Sequence, residues 1–258
     1  MSQLRSGEES AFDEERGLIA GIVGMAPLLI VYELLQVSGV GARCSSELFA
    51  TSILQPLGAW EALARGVLIS LLLLFAALTC SRAGCPLVPL MGRQALRGAL
   101  YAFLLSPALI VLMVLLGHSV SSEALGAAPH GTQVLLAVSG AAWEELVFRV
   151  GFYGLLYLVA RRLALFTGIS ERLAPLFGEA VGLLGSAAIF AAAHLELVSG
   201  WLGRGGEEFS APAFIFRFGA GILLGVLFRW RGPGVSAWSH GLFNLSLAVG
   251  WTPAVLVN

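Results

Sequence analysis

Residues 17–36 read GLIAGIVGMAPLLIVYELLQ, a run apolar and long enough to cross a bilayer as one helix. Comparable runs follow at about 64–80, 98–117, 133–160, 176–194, 213–230 and 233–252. Inside lipid the backbone must satisfy its own hydrogen bonds, so such runs fold as helices. The chain is expected to be all-α, a polytopic transmembrane helix bundle of about seven spans. The second run is short, and SSELFATSILQPLGAWEALA before it reads as an interfacial or re-entrant amphipathic segment, which widens the count to about six to eight. RWRGPG is a tight turn signal that pairs the last two spans antiparallel. With no internal repeat and no low-complexity linker, residues 17–258 are read as one transmembrane domain behind a polar, acidic tail at 1–16.

Composition agrees. The chain is 57 % hydrophobic and 12 % charged, against about 25 % charged in a typical soluble domain. A formal net charge of −1 and the lack of a basic stripe exclude a nucleic-acid partner. Cys44, Cys80 and Cys85 make an odd set without CxxC spacing, which argues against a disulfide framework or a structural zinc site. The first sixteen residues are neither a signal peptide nor a basic presequence, so the first span is expected to act as an uncleaved membrane signal. Every basic side chain is arginine, and the arginines sort by loop. Arg5, Arg16, Arg82, Arg93, Arg97, Arg161, Arg162, Arg172, Arg229 and Arg231 fall on one side, with Arg43, Arg65 and Arg204 on the other. The positive-inside rule then predicts a cytoplasmic N-terminus in a plasma membrane, bacterial by the reading below.

Against this apolar background WEELVFR, residues 143–149, is anomalous. One ionisable side chain at mid-membrane costs about 2.5–3.5 kcal/mol, while each apolar neighbour returns only about 0.3–0.6 kcal/mol. Three charges must therefore pair or meet water. Glu145 and Arg149 stand at i and i+4 in the favourable order, and an internal ion pair is the bland reading. Glu144 points about 100° away around the helix and is expected to face a cavity.

Two further stretches carry costly polar groups. In SAAIFAAAHLE, residues 186–196, Ser186, Phe190 and His194 recur every four residues along one stripe. In WSHGLFNLS, residues 238–246, His240 and Asn244 share a helix face. Each alone is ordinary interhelical glue. Together they supply a carboxylate base, two imidazoles and an amide donor, which suits hydrolysis by an activated water in a hydrated intramembrane cavity. Glu33 and Arg217 are expected to snorkel; for Arg217, pairing with a carboxylate of the fourth span or receiving a substrate carboxylate is the alternative. His118 and His130 receive no role.

The three stretches resemble the motifs EExxxR, FxxxH and HxxxN of the CPBP family, also called ABI, of Rce1-like intramembrane proteases that process CAAX tails and bacteriocins. They occur in the family's order between residues 144 and 244, inside a motif-bearing core of about 133–252. The resemblance implies that Glu144 activates water with help from His194, and that His240 and Asn244 stabilise the oxyanion. It implies a supporting role for Glu145, with Arg149 and Phe190 as structural support. The implied function is an intramembrane endopeptidase acting on membrane-anchored or C-terminal tail peptides, of CAAX type or of the sorting-signal type cut by myxosortase-like members. The partners are then the bilayer and a membrane-anchored peptide or protein. No cofactor or metal is required; zinc is the less favoured alternative, because HExxH is absent. A non-catalytic scaffold or immunity-type protein, or a transporter with buried charges, is the alternative function. Glycine- and alanine-rich faces serve internal packing and dimers alike, which leaves the oligomeric state open.

Overall fold

A computed structural model describes residues 17–38, 47–117, 131–201 and 206–248. His118, His130 and Cys44 lie outside them, as do residues 1–16. Helix α1 is Leu18–Val37. Helix α2, Glu47–Leu54, runs through a 3-10 turn at Gln55–Trp60 into α3, Glu61–Arg82. Helix α4 is Leu87–Leu115. One continuous helical rod follows: α5, Thr132–Glu144; a π-helical segment, Glu145–Tyr153; and α6, Gly154–Phe166. The remaining helices are α7, Ala174–Ala192; α8, Glu196–Trp201; α9, Ala211–Arg231; and α10, Pro233–Ala248.

The all-α bundle is as expected, and among the described residues the only strand-like feature is an isolated bridge between Leu195 and Glu207. Among the described residues, five helical stretches are long and apolar enough to cross a membrane: 18–37, 52–82, 87–115, 174–192 and 211–231. The expectation was about seven. The other two expected spans correspond to the helical rod at 132–166, divided by its π-helical segment, and to α10, of which 16 residues are described. The stretch expected to be interfacial or re-entrant is helical, and Gly58, at φ 56° and ψ −124°, kinks it between α2 and α3.

Helix α10 is the hub. It packs against α1, α4, α5, the π-helical segment and α9, and its first half is buried on every side. A helix apolar or small-sided all round belongs in the middle of a bundle. Small residues let the backbones come close. A Cβ on Gly98 of α4 would collide with Trp238, and one on Gly241 of α10 would collide with the Val138 carbonyl of α5. Polar tethers fix the register: the Trp238 indole donates to Gly24 O at 2.9 Å, and Ser239 Oγ donates to Gly98 O at 3.1 Å. A second group forms where α7 packs against α6 and α9. There Tyr153 donates to Glu179, which also pairs with Arg229 at 2.7 Å.

Gly241 is adjacent to His240, so this contact sets how closely the polar face of α10 approaches α5. Gly241→Val is expected to lower stability by about 1–3 kcal/mol, the usual cost of overpacking. Gly92→Ala, on α4 with open space around it, is expected to be neutral or slightly stabilising. Thermal unfolding of both variants in detergent checks the contrast.

Candidate active site

Glu145 opens the π-helical segment and is completely buried. Its carboxylate is bound chiefly by α10. Ser236 Oγ donates to Oε2 at 2.7 Å, and His240 Nδ1 lies 3.0 Å from Oε1. Ser236 precedes His240 by one helical turn, so one face of α10 grips both oxygens. Arg149 Nε stands 3.6 Å from Oε2, an ion pair longer than a hydrogen bond. The expected Glu145–Arg149 pairing is present as charge compensation, but among the described residues the Arg149 nitrogens have no hydrogen-bond partner. Its guanidinium instead lies against the Phe190 ring, 5.2 Å from the centroid. A π-helical stretch closes i→i+5 bonds and so widens the turn, which places the Arg149 head beside Glu145 rather than on it.

Glu144 ends α5. It is buried too, but retains 8 % of its surface where Glu145 has none, so Glu144 is the less enclosed of the two carboxylates. Its Oε2 lies 3.4 Å from His240 Nε2. The imidazole thus stands between two adjacent carboxylates, Glu145 on one nitrogen and Glu144 on the other.

Helix α7 stops at Ala192, two residues earlier than the sequence suggested, and His194 sits in the turn beyond it. His194 Nδ1 is 2.9 Å from Phe190 O. With that nitrogen donating, Nε2 is the ring's free acceptor. Glu144, Arg217 and Glu207 are its charged neighbours. Its backbone is fixed by the 206–207 segment: Glu207 N donates to His194 O at 3.0 Å, and Glu196 N to Glu207 O at 2.8 Å. The Phe190 ring joins the parts. It meets His194, Phe148 and His240 edge-on with centroids at 5.1, 5.3 and 5.7 Å. Phe190 therefore gives the two histidines and Arg149 a common apolar wall.

Asn244 is half-buried one turn beyond His240, and its Nδ2 donates to Ala137 O on α5 at 2.9 Å. That bond uses one of the two amide hydrogens. The structure thus brings Glu144, Glu145, Arg149, Phe190 and His240 into direct contact, with His194 against the same ring and Asn244 on the same α10 face.

Two polar residues were placed differently by the sequence. Glu33 does not snorkel: it accepts the Trp143 indole N–H at 2.9 Å and pairs with Arg65 at 3.2 Å. Arg217 pairs with Glu207 at 2.6 Å, just ahead of its own helix, rather than with a carboxylate of the fourth span. Sequence reasoning missed Ser236, although Ser236, His240 and Asn244 form an i, i+4, i+8 stripe. It also missed Arg65, which was assigned to a loop and is buried in α3. Among the described residues no group of three or more His, Cys, Asp or Glu side chains is arranged to hold a metal ion.

Fold and site together define a polytopic helical membrane protein with a carboxylate–imidazole centre enclosed by its helices. Residues 127–246 match the family model described as type II CAAX prenyl endopeptidase Rce1-like, so this part of the chain is similar to that family of membrane proteases. The match contains the whole centre and leaves α1 to α4 outside. No curated protein and no solved structure matches the chain.

The unequal burial of the two glutamates separates their roles. Glu145→Gln leaves Arg149 buried without a countercharge and is expected to cost about 3–5 kcal/mol. Glu144→Gln is expected to change stability by less than about 1 kcal/mol, since Glu144 is less enclosed and the nearly isosteric amide leaves the Glu145–Arg149 pair in place. Thermal unfolding of the two purified variants, compared with the wild type, reads the difference.

Proposed function

We propose that the chain is a glutamate-type intramembrane endopeptidase in which Glu144 is the general base. The observation that carries this is His240, held by Glu145 through Nδ1 at 3.0 Å and facing Glu144 through Nε2 at 3.4 Å. Two carboxylates balance one guanidinium and one imidazolium, so the centre is electrically neutral when His240 carries both ring protons. In that form Nε2–H is a charged donor beside the less enclosed carboxylate. A preorganised donor at the point of developing negative charge is the largest single contribution in many hydrolases.

The reaction follows from these placements. Glu144 accepts a proton from water as the water oxygen bonds to the scissile carbonyl carbon. The carbonyl oxygen becomes an oxyanion, taken by His240 Nε2–H and by the second N–H of Asn244. Collapse restores the carbonyl and breaks the C–N bond. The leaving nitrogen takes the proton held by Glu144; His194, an acceptor through its free Nε2, helps Glu144 hold the attacking water at the start. Glu145 and Ser236 hold the His240 ring, Arg149 compensates Glu145, and Phe190 keeps the rings in place. Every group used is a side chain of this chain, so the proposal includes no metal.

The substrate class is a peptide or protein tail that reaches the bilayer, of the CAAX type or a C-terminal sorting signal of the myxosortase type. The arginine distribution supports a cytoplasmic N-terminus, and a bacterial inner membrane is the proposed setting. Helix α5 then enters from the outer side and the site serves the outer half of the bilayer. This favours exported, membrane-anchored tails. Residues 17–258 act as one unit.

Glu144→Gln is expected to lower the cleavage rate by about 10²–10⁴-fold, the contribution of a positioned general base. A fluorogenic farnesylated CAAX peptide and a membrane-anchored sorting-signal peptide are the two substrates to assay. Cleavage by the wild type is expected to survive dialysis against a chelator; loss restored by zinc would replace the mechanism with a metal-dependent one. Unchanged cleavage by Glu144→Gln would sink the assignment of the base. For the orientation, a reporter inserted between α4 and α5 is expected to read as extracytoplasmic, and a cytoplasmic reading reverses the side the site serves.

A further inference from the structure

Trp143 immediately precedes Glu144, and its polar contacts lead away from the matched segment. The indole N–H donates to Glu33 Oε1 of α1 at 2.9 Å, and Glu33 Oε2 accepts from Arg65 Nε of α3 at 3.2 Å. Arg65, Trp143 and Glu33 are almost sealed, with 3 %, 5 % and 14 % of their respective surfaces open, the last for the side chain. Tyr32 packs on the same indole with centroids 6.5 Å apart, and Met25, Leu29 and Ile69 fill in around them. An arginine and a glutamate this enclosed each carry a desolvation cost that their pairing has to offset. Apolar residues of similar size would pack α1 and α3 at least as well. Packing alone does not account for a chain of polar contacts that ends one residue from the less enclosed carboxylate.

Residues 143, 144 and 145 are consecutive and face three different neighbours. Trp143 reaches α1, Glu144 reaches His240 Nε2, and Glu145 is locked onto Ser236 and His240 Nδ1. Successive residues of a helix diverge by about 100°, so fixing the two outer ones fixes the rotation of α5 about its axis. A carboxylate about 6 Å from that axis moves about 1 Å for each ~10° of rotation. Misplacement of that size costs up to about 10²-fold in rate.

We propose that Glu33, held by Arg65, is a positioning residue of the glutamate centre: through the Trp143 indole it sets the rotation of α5 that presents Glu144 to His240. This rests on the reading of Glu144 as the reactive carboxylate. The first two helical spans thereby contribute to a site whose motifs all lie elsewhere.

The test uses the full chain in detergent and four variants: Trp143→Phe, Glu33→Leu, their double, and Glu33→Gln. One measurement is the cleavage of a fluorogenic farnesylated CAAX peptide, resolved into kcat and KM. The other is the rate at which dicyclohexylcarbodiimide modifies Glu144, located by mass spectrometry. Trp143→Phe and Glu33→Leu are each expected to lower kcat about tenfold with KM within about twofold. The double variant is expected to be no slower than Glu33→Leu, since both single changes remove the Trp143–Glu33 hydrogen bond. Glu33→Gln, whose amide oxygen can still accept the indole N–H, recovers most of the loss. Modification of Glu144 changes rate in both single variants. Additive losses in the double variant, or lower thermal stability with kcat and Glu144 modification unchanged, overturn the proposal. If the wild type leaves the peptide uncut, the proposed activity fails on that substrate, and unchanged Glu144 modification in Trp143→Phe still overturns the positioning role. If Glu33→Leu does not fold, Trp143→Phe and Glu33→Gln decide it.

Discussion

The buried carboxylate of Glu145 is the constraint around which the rest is arranged. A lone charge at that depth is costly enough to oppose insertion, and Arg149 alone does not satisfy it, because their nearest atoms are 3.6 Å apart. The shortfall is met from α10 by Ser236 and His240. That requirement brings a polar face of α10 against the π-helical segment, and close approach in turn requires small residues, of which Gly241 is the clearest case. The central position of α10 follows from serving Glu145 on one side while Ser239 and Trp238 tie it to α4 and α1. One electrostatic obligation thus organises four helices.

The same obligation makes the neighbouring carboxylate available. Glu145 occupies Nδ1 of His240 and orients the ring, so Nε2 is turned toward Glu144. Two glutamates in succession are therefore not redundant. The sealed one fixes a ring plane, and the less enclosed one inherits a defined partner. In outline this is the logic of a carboxylate–histidine pair in a soluble hydrolase, where the acid behind the imidazole holds rather than reacts. In the membrane the buried member needs Arg149 as well, since water does not screen it.

The sequence was most legible where cost was highest. Charges inside apolar runs identified Glu144, Glu145, Arg149, His194, His240 and Asn244, because each violates the composition around it. The division of WEELVFR into a more and a less enclosed glutamate was legible too, from helical geometry. What escaped was what periodicity cannot carry. The π-helical widening at Glu145 has no hydrophobic signature, and it alters the Glu145–Arg149 geometry that i, i+4 spacing implies. Ser236 escaped because serine is cheap in a membrane helix and so does not stand out.

Glu33 and Arg65 show a different limit. Both lie near helix ends, where snorkelling to an interface is the ordinary outcome for a long charged side chain, and nothing local distinguishes a brace from a bystander. Only the packing of α1 and α3 against α5 brings Arg65, Glu33 and Trp143 into one line. The segment that matches the Rce1-like family starts at residue 127 and so contains the indole but neither of the residues that hold it. A site whose motifs are continuous with one half of a bundle can still depend for its geometry on the other half. In a helical membrane protein this is physically reasonable. Helices in lipid have little hydrophobic drive to pack against each other, so polar contacts of this kind do much to set their rotation.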